Sequence, residues 1–199
     1  SSAAAFTVVS AALFMVCSYF INKLCFYLSP VALLVILGYS FTKRFTPLCH
    51  LILGLGLSLA PIGAYLALTE RFDILPILFS VVVFFWVGGF DIIFALQDEE
   101  FDRGEGLKSI PVLMGKAKAL RLSEFMHLIA AAIVIFGFFY GAFSWLYIVG
   151  AVVFIGLLIY QHLIVKPDDL SRVNLAFGTS NGVASVIFCL FVCLDIFLL

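Results

Sequence analysis

The feature that most constrains the fold is a series of seven continuous apolar runs that extends along the whole chain. A membrane-spanning helix needs about 20 predominantly apolar residues, and most of these runs approach that length. The runs do not alternate between apolar and polar residues, as the strands of a membrane β-barrel do. The sequence therefore predicts an all-α fold, a polytopic transmembrane helical bundle with seven spans. The runs lie near residues 3–21, 26–41, 48–68, 74–97, 122–142, 144–165 and 176–198.

Composition supports a single membrane domain. Hydrophobic residues make up 64% of the chain and charged residues only 12%, whereas about 25% of the residues of a soluble domain are charged. No polar segment between the runs is long enough to form a separate domain, so residues 1–199 are predicted to form one transmembrane domain in a lipid bilayer. The net charge of −1 and the lack of a basic run argue against a nucleic-acid partner.

The distribution of lysine and arginine predicts the orientation. Seven spans would place only Lys23 and Arg71 on one side of the membrane. The other basic residues would share the opposite side, which the positive-inside rule makes cytoplasmic. We therefore expect the N-terminus on the cytoplasmic side and the C-terminus on the other. The predicted cytoplasmic basic residues are Lys43, Arg44, Arg103, Lys108, Lys116, Lys118, Arg121, Lys166 and Arg172.

An acidic stretch follows the fourth run and faces the same predicted side. Asp91, Asp98 and Asp102 are separated by seven and four residues, so a continuous helix would align them within about 20° on one face. Like charges at this spacing repel each other, and a divalent cation bound between them would turn this repulsion into a net attraction. Carboxylates with open water positions suit Mg²⁺. The alternative is a solvated charged loop, which is the better interpretation for Glu99, Glu100 and Glu105.

Basic residues accompany these acids on the predicted cytoplasmic side. Tyr39, Lys43 and Arg44 lie in the stretch GYSFTKRFTP, and Lys108 follows the acids in GLKSIP. A magnesium-bound diphosphate needs cations on its remaining oxygens. Basic residues that only anchor the spans at the membrane surface would occur at the same positions. Charge by itself therefore leaves diphosphate binding and membrane anchoring both open.

Four further polar residues lie within or beside the runs. His50, His127 and His162 are isolated near the ends of spans, and we expect them at the membrane interface. Asp195 is near the far membrane surface, where the sequence indicates no partner for it.

The acidic stretch resembles a known motif. The segment DIIFALQDEEFDRGEGLKSIPVLMGKAKAL resembles the second aspartate-rich motif of the UbiA superfamily of intramembrane prenyltransferases, and YSFTKRFTP looks like the family's Y-S-x-x-K-R-x-T segment. KPDDLSRVN is similar to a block in the 4-hydroxybenzoate polyprenyltransferase-like branch, which includes the menaquinone (futalosine) enzymes. The residues that match the aspartate motif are Asp91, Asp98, Asp102, Gly106, Lys108 and Ser109.

The resemblance implies an enzyme of the bacterial inner membrane whose active site faces the cytoplasm. Such an enzyme uses Mg²⁺ to transfer a polyprenyl group from its diphosphate to an aromatic acid in ubiquinone or menaquinone biosynthesis. The resemblance also implies residue roles. Asp98 and Asp102 would bind the metal. Asp91, Tyr39 and Phe94 would contact substrate, with Asp91 facing the aromatic ring or the allylic cation. Lys43, Arg44 and Lys108 would bind diphosphate.

The chain departs from the family pattern in two respects, and one of them is Phe94, which stands where many relatives have tyrosine. The family carries a first motif, N-x-x-x-D-x-x-x-D, which does not occur in residues 1–199. Family members have nine transmembrane helices, so the resemblance implies that this chain corresponds to the last seven and lacks half of the metal site. On that basis we expect the chain alone to be inactive. A membrane transporter or a non-catalytic membrane protein is the alternative.

Overall fold

A computed structural model describes residues 2–198, and within them the fold is all-α, with seven helices long and apolar enough to cross a membrane. The predicted fold class and number of spans are therefore confirmed. The second predicted span, the shortest of the seven, is a full helix of 20 residues. The main helices of the seven membrane-crossing segments are α1 (Ser2–Ile21), α2 (Lys23–Thr42), α3 (Cys49–Thr69), α4 (Ile74–Ala95), α7 (Lys116–Tyr140), α8 (Trp145–Ile164) and α9 (Asn181–Leu198).

Shorter elements connect or extend the spans on the predicted cytoplasmic side. A 3₁₀ turn (Leu96–Asp98) and helix α5 (Glu99–Gly104) continue α4, and helix α6 (Ile110–Met114) precedes α7. A π-helical segment (Leu175–Ser180) leads into α9. Helix α7 begins six residues before the predicted span at 122, because the basic segment KAKALR is already helical although it is too polar to belong to an apolar run.

Helix α4 is the centre of the bundle and packs most extensively against α3 and α7. Glycines allow this close approach. A Cβ atom at Gly54 would lie 2.5 Å from the carbonyl oxygen of Phe84, and one at Gly89 would lie 2.4 Å from the His127 ring. Small residues at helix contacts are the usual device for bringing membrane helices together, because no hydrophobic force drives association within lipid.

Two apolar clusters form around α4. The first lies at the end that carries the acidic stretch and includes Ile92, Ile93 and Leu96. The second lies toward the other end, where α4, α7, α8 and α9 meet around Tyr147 and Phe154. The first cluster fixes the end of α4, from which the candidate site is built.

The turn between α1 and α2 is anchored to a third helix. The Asn22 side chain accepts the N–H of Cys25 at 2.8 Å and so caps α2, and its amide donates to the carbonyl oxygen of Leu66 at 2.9 Å. One buried amide therefore satisfies backbone groups of two helices, which matters where no water is available.

Candidate functional site

The predicted site residues come together from two membrane helices, α2 and α4, and the segments that follow them. Tyr39 lies in the last turn of α2, and Lys43 and Arg44 follow directly. Asp91 and Phe94 lie in the last turns of α4, Asp98 ends the 3₁₀ turn and Asp102 lies in α5. Lys108 lies in the connection between α5 and α6. The site is therefore built where α2 and α4 end, at one end of the bundle.

The acidic stretch is not one continuous α-helix, and this changes the predicted alignment. The 3₁₀ turn at Leu96–Asp98 advances about 120° per residue instead of 100°, which adds about 60° of rotation between Asp91 and the two later aspartates. Asp91 therefore diverges from Asp102. Among residues 2–198 no group of three or more His, Cys, Asp or Glu could hold a metal ion. The expectation that the three aspartates align within about 20° on one helical face is wrong.

Asp102 is the most deeply buried acid of the site. Its side chain is fully buried, and its Oδ1 lies 2.8 Å from Nζ of Lys43, a side chain that is one-third exposed. The contact is an ion pair and not an aligned hydrogen bond, because neither carboxylate oxygen has a hydrogen-bond partner within residues 2–198. A buried carboxylate without hydrogen bonds destabilises the fold unless its charge is paired, so this position favours a cation beside Asp102.

Asp91 has a different partner. Its Oδ2 lies 2.7 Å from Nδ1 of His50, which is itself buried at the start of α3. The other ring nitrogen of His50, Nε2, accepts the backbone N–H of Ile110 at 3.3 Å. The expectation that His50 is an isolated interfacial residue is wrong, because α3 and α4 approach closely enough to bring it against Asp91.

The remaining predicted acids are more exposed. Asp98 is half-buried at the junction of the 3₁₀ turn and α5. Glu100 and Glu105 are exposed, as expected for solvated charges. Glu99 is not freely solvated, because its carboxylate accepts a 2.7 Å hydrogen bond from Arg103 one helical turn later.

Of the predicted diphosphate-binding residues, two lie side by side and the third lies apart. The backbone N–H of Lys108 donates to the carbonyl oxygen of Lys43 at 2.7 Å, and Nζ of Lys108 donates to the carbonyl oxygen of Phe45 at 3.2 Å. Arg44 instead lies over the ring of Phe41, with its guanidinium carbon 6.0 Å from the ring centre. The two lysines are therefore joined through the backbone, and of the two only Lys43 contacts the Asp102 carboxylate within residues 2–198.

A large apolar cavity lies between α2, α3, α4 and α9. Its volume is about 950 Å³, and Tyr39, Trp86, Phe90 and Phe177 are among its lining residues. Phe94 lies beside it, with its ring centre 4.2 Å from that of Phe177. A cavity of this size and apolar character suits a long hydrocarbon chain.

The sequence did not predict a network of buried polar side chains at the cavity wall. The side-chain oxygen of Asn181, Oδ1, accepts hydrogen bonds from the Trp86 indole at 2.9 Å and from the Gln161 amide at 2.8 Å. Asn181 follows the π-helical segment, which supplies Phe177 and Gly178 to the cavity lining. The irregular helix was not detectable because π-helical segments have no distinct hydrophobic period.

The other two histidines and Asp195 also have partners. His127 and His162 lie with ring nitrogens 2.9 Å apart, so both depart from the predicted isolated position. Asp195 accepts the backbone N–H groups of Ser144 at 2.9 Å and Tyr147 at 3.0 Å, and thereby caps α8. These contacts join distant parts of the chain, and no local pattern could have predicted them.

The residues fit the predicted metal. Oδ2 of Asp102 is buried and has no hydrogen-bond partner within the described chain, and Asp98 precedes it by four residues. Mg²⁺ is commonly bound by one or two carboxylates together with substrate phosphate oxygens and water. Asp98 and Asp102 would thus hold part of its coordination sphere.

Comparison with known proteins agrees with the sequence resemblance. The model of the UbiA prenyltransferase family matches residues 1–192. Two curated relatives are named 4-hydroxybenzoate octaprenyltransferase. The chain is 28% identical to the protein of Francisella tularensis subsp. mediasiatica (strain FSC147) over 87% of its length and 61% of the relative's. It is 28% identical to the protein of Aliivibrio fischeri (strain MJ11) over 89% of its length and 63% of the relative's.

Two solved structures share the fold. The apo structure of a UbiA homolog from Aeropyrum pernix K1 superposes with a TM-score of 0.87 at 30% identity, covering 98% of this chain and 72% of that one. A structure of digeranylgeranylglyceryl phosphate synthase superposes with a TM-score of 0.78 at 20% identity, covering 97% of this chain and 68% of that one, and shows the fold alone. The chain spans about three fifths of the length of the curated relatives it matches.

Proposed function

Because the chain belongs to the UbiA prenyltransferase family, we propose that its site transfers a polyprenyl group from a polyprenyl diphosphate to an aromatic acid. The observation that carries the proposal is the position of a fully buried aspartate, Asp102, against Lys43 in the same end of the bundle as a 950 Å³ apolar cavity. One substrate with an anionic head and a long hydrocarbon tail matches both features. The names of the relatives do not favour the transporter alternative.

The diphosphate head would bind at the two lysines. Lys43 and Lys108 are joined through a backbone hydrogen bond, and Arg44 follows in the same turn. Asp98 and Asp102 would hold Mg²⁺, which neutralises charge on the leaving diphosphate and so favours its departure. Lys43 must then exchange its contact with Asp102 for one with a diphosphate oxygen, because one ammonium group cannot remain fully engaged with both.

The reaction would take place between the polar end and the cavity. The allylic carbon–oxygen bond breaks and its electron pair leaves with the diphosphate. A ring carbon of the aromatic acid forms the new bond to the allylic carbon, and that ring carbon then loses its hydrogen as a proton. Asp91 and Tyr39 would hold the acceptor, Phe94 would contact substrate beside Phe177, and the cavity would shield the prenyl chain from water.

The acceptor we propose is of the 4-hydroxybenzoate type, which the names of the relatives support, and this would place the chain in ubiquinone biosynthesis. A dihydroxynaphthoate-type acid, and hence menaquinone biosynthesis, is the alternative. We further propose that the protein lies in the bacterial inner membrane with the site facing the cytoplasm, an orientation that the distribution of basic residues supports.

The test is a transfer assay with the chain reconstituted in lipid nanodiscs, both alone and together with the first two helices of a homologue that carry the first aspartate motif. Mg²⁺, a polyprenyl diphosphate and each candidate acid are added, and products are identified by mass spectrometry. We expect transfer only with the added helices, because a magnesium-bound diphosphate needs carboxylates from both sides of the cavity. Turnover by the chain alone would show that one motif is sufficient.

Variants assign the activity to the site. Asp102→Asn and Asp98→Asn should each lower transfer at least about a hundredfold, as the loss of a group that stabilises transition-state charge does. Glu100→Gln is the matched control, since it removes an exposed charge from the same helix and should leave the rate unchanged. Equal losses in all three variants would contradict the proposal.

A further inference from the structure

His50 is a buried polar residue that links three separate segments of the chain. It lies at the start of α3, its Nδ1 is 2.7 Å from Oδ2 of Asp91 in α4, and its Nε2 is 3.3 Å from the backbone nitrogen of Ile110 at the start of α6. Only 2% of its surface is exposed. It therefore connects an acid of the candidate site to the helix that follows Lys108.

The two hydrogen bonds determine where the imidazole proton lies. The Ile110 nitrogen can only donate, so Nε2 of His50 accepts and carries no proton in this arrangement. Nδ1 then carries the ring proton and donates it to the Asp91 carboxylate. The ring is held from both sides and cannot turn without breaking one of the two bonds.

The contact with His50 uses only one of the two carboxylate oxygens of Asp91. The Asp91 side chain is 15% exposed, and its Oδ1 has no hydrogen-bond partner among residues 2–198. The preceding residue, Phe90, lines the large cavity, as does Tyr39. Asp91 therefore lies at the border between the cavity and the polar end of the site.

We propose that His50 is a positioning residue that fixes the Asp91 carboxylate so that Oδ1 accepts the hydroxyl hydrogen of the aromatic acceptor. The inference rests on the proposed function, because it assumes an aromatic acceptor at this site. His50 touches no reacting atom in this scheme and acts only through Asp91.

The chemistry explains why such a contact matters. A hydroxyl group that donates to a carboxylate has a more electron-rich oxygen, and this raises the electron density at the adjacent ring carbons. The ring carbon next to the hydroxyl is then the better nucleophile toward the allylic carbon. A charge-assisted hydrogen bond of this kind also selects acceptors that possess the hydroxyl hydrogen over those that do not.

The experiment compares two probes, one of which carries a methyl group in place of this hydrogen. Binding of 4-hydroxybenzoate and of 4-methoxybenzoate to the chain in nanodiscs is measured by calorimetry for the wild type and for variants. We expect the wild type to prefer 4-hydroxybenzoate by about tenfold, the range of one charge-assisted hydrogen bond. His50→Phe and Asp91→Asn should each lose most of this preference, and the double variant should lose no more than either alone.

Two further variants separate positioning from structural support. His50→Gln offers an amide N–H to Asp91 and an amide oxygen to Ile110, so it should restore the preference. His127→Phe removes another buried histidine and should leave the preference unchanged even if it lowers the melting temperature. Should His50→Phe fail to fold, His50→Met removes the same two hydrogen bonds with a more adaptable side chain.

The outcomes distinguish the inference from the proposed function. If the wild type prefers the hydroxyl compound and the folded His50→Phe or His50→Met variant retains that preference, the inference is wrong and the proposed function stands. Additive losses in the double variant would overturn the inference in the same way. If the wild type binds neither compound even when the first two helices of the homologue are added, the proposed 4-hydroxybenzoate-type acceptor is wrong and the inference fails with it.

Discussion

Replacing Lys43 by methionine should strengthen the binding of a divalent cation to the chain when no diphosphate is present. Lys43 is the cation that contacts the fully buried Asp102, with 2.8 Å between Nζ and Oδ1. A metal ion that uses this oxygen must displace the lysine. Methionine has a similar length and no charge, so the variant leaves the carboxylate without a competing cation.

The magnitude follows from the geometry of the contact. Interactions of a charged donor with a carboxylate contribute about 1.5–3 kcal/mol, and about 1.4 kcal/mol corresponds to a factor of ten in affinity. Because the Lys43 side chain is 32% exposed, solvent screening places the expected effect at the lower end. We therefore expect Mn²⁺, measured by electron paramagnetic resonance in nanodiscs, to bind about tenfold more tightly to Lys43→Met.

Addition of a diphosphate analogue should reverse the sign of the effect. With a non-hydrolysable prenyl thiodiphosphate present, Lys43 would contact the analogue, and its loss should weaken binding of the analogue by about tenfold. Lys118→Met is the matched control, because it removes an exposed lysine from the same predicted side of the membrane. It should change neither affinity.

A destabilised variant would not bind metal more tightly, so the direction of the change is informative. Removal of one partner of a buried ion pair destabilises a protein, and Lys43→Met should melt at a lower temperature without metal. Added Mn²⁺ should raise that temperature more than it does in the wild type. Unchanged or weaker Mn²⁺ binding by the folded variant, or no binding by either protein, would refute the exchange of Lys43 for a metal ion at Asp102.

Two further predictions test the orientation and the packing. In a cysteine-depleted background, Glu105→Cys should be labelled by an impermeant thiol reagent from the cytoplasmic side, and labelling only from the other side would contradict the predicted orientation. Asp195→Ala should lower the free energy of unfolding in detergent by about 2 kcal/mol, because it leaves the buried N–H groups at the start of α8 without their acceptor. Ser185→Ala, which removes an exposed hydroxyl that bonds within α9, is its control, and a loss of similar size there would argue against the capping role.

The sequence alone determined the membrane fold. Hydrophobicity acts locally, since each run of about 20 apolar residues must cross the bilayer as a helix whatever its neighbours do. Six of the seven predicted spans consequently match the observed helices to within a few residues at each end. The remaining span, α7, is the fifth along the chain, and it begins earlier than predicted because helix formation at Lys116 depends on packing against α4 and α6 as well as on composition.

The acidic stretch and the basic turn named Asp98, Asp102, Lys43 and Lys108 as candidates only together with the family resemblance, because charge alone left membrane anchoring open. The structure brings Lys43, Asp102 and the Lys108 backbone together. The predicted alignment of Asp98 and Asp102 with Asp91 was wrong. The alignment depends on a 3₁₀ turn, whose three residues have the composition of an ordinary helix end.

Only the tertiary structure decided which groups pair. The contacts of His50 with Asp91, His127 with His162 and Asp195 with Ser144 each join residues more than thirty positions apart. Helix separation is one condition for such contacts, and glycines such as Gly54 and Gly89 let α3 and α7 approach α4 closely. In the absence of water each buried polar group must then find a partner on the facing helix. Which partner it finds depends on the rotation and separation of the two helices. The hydrophobic pattern of either helix alone does not specify these two quantities.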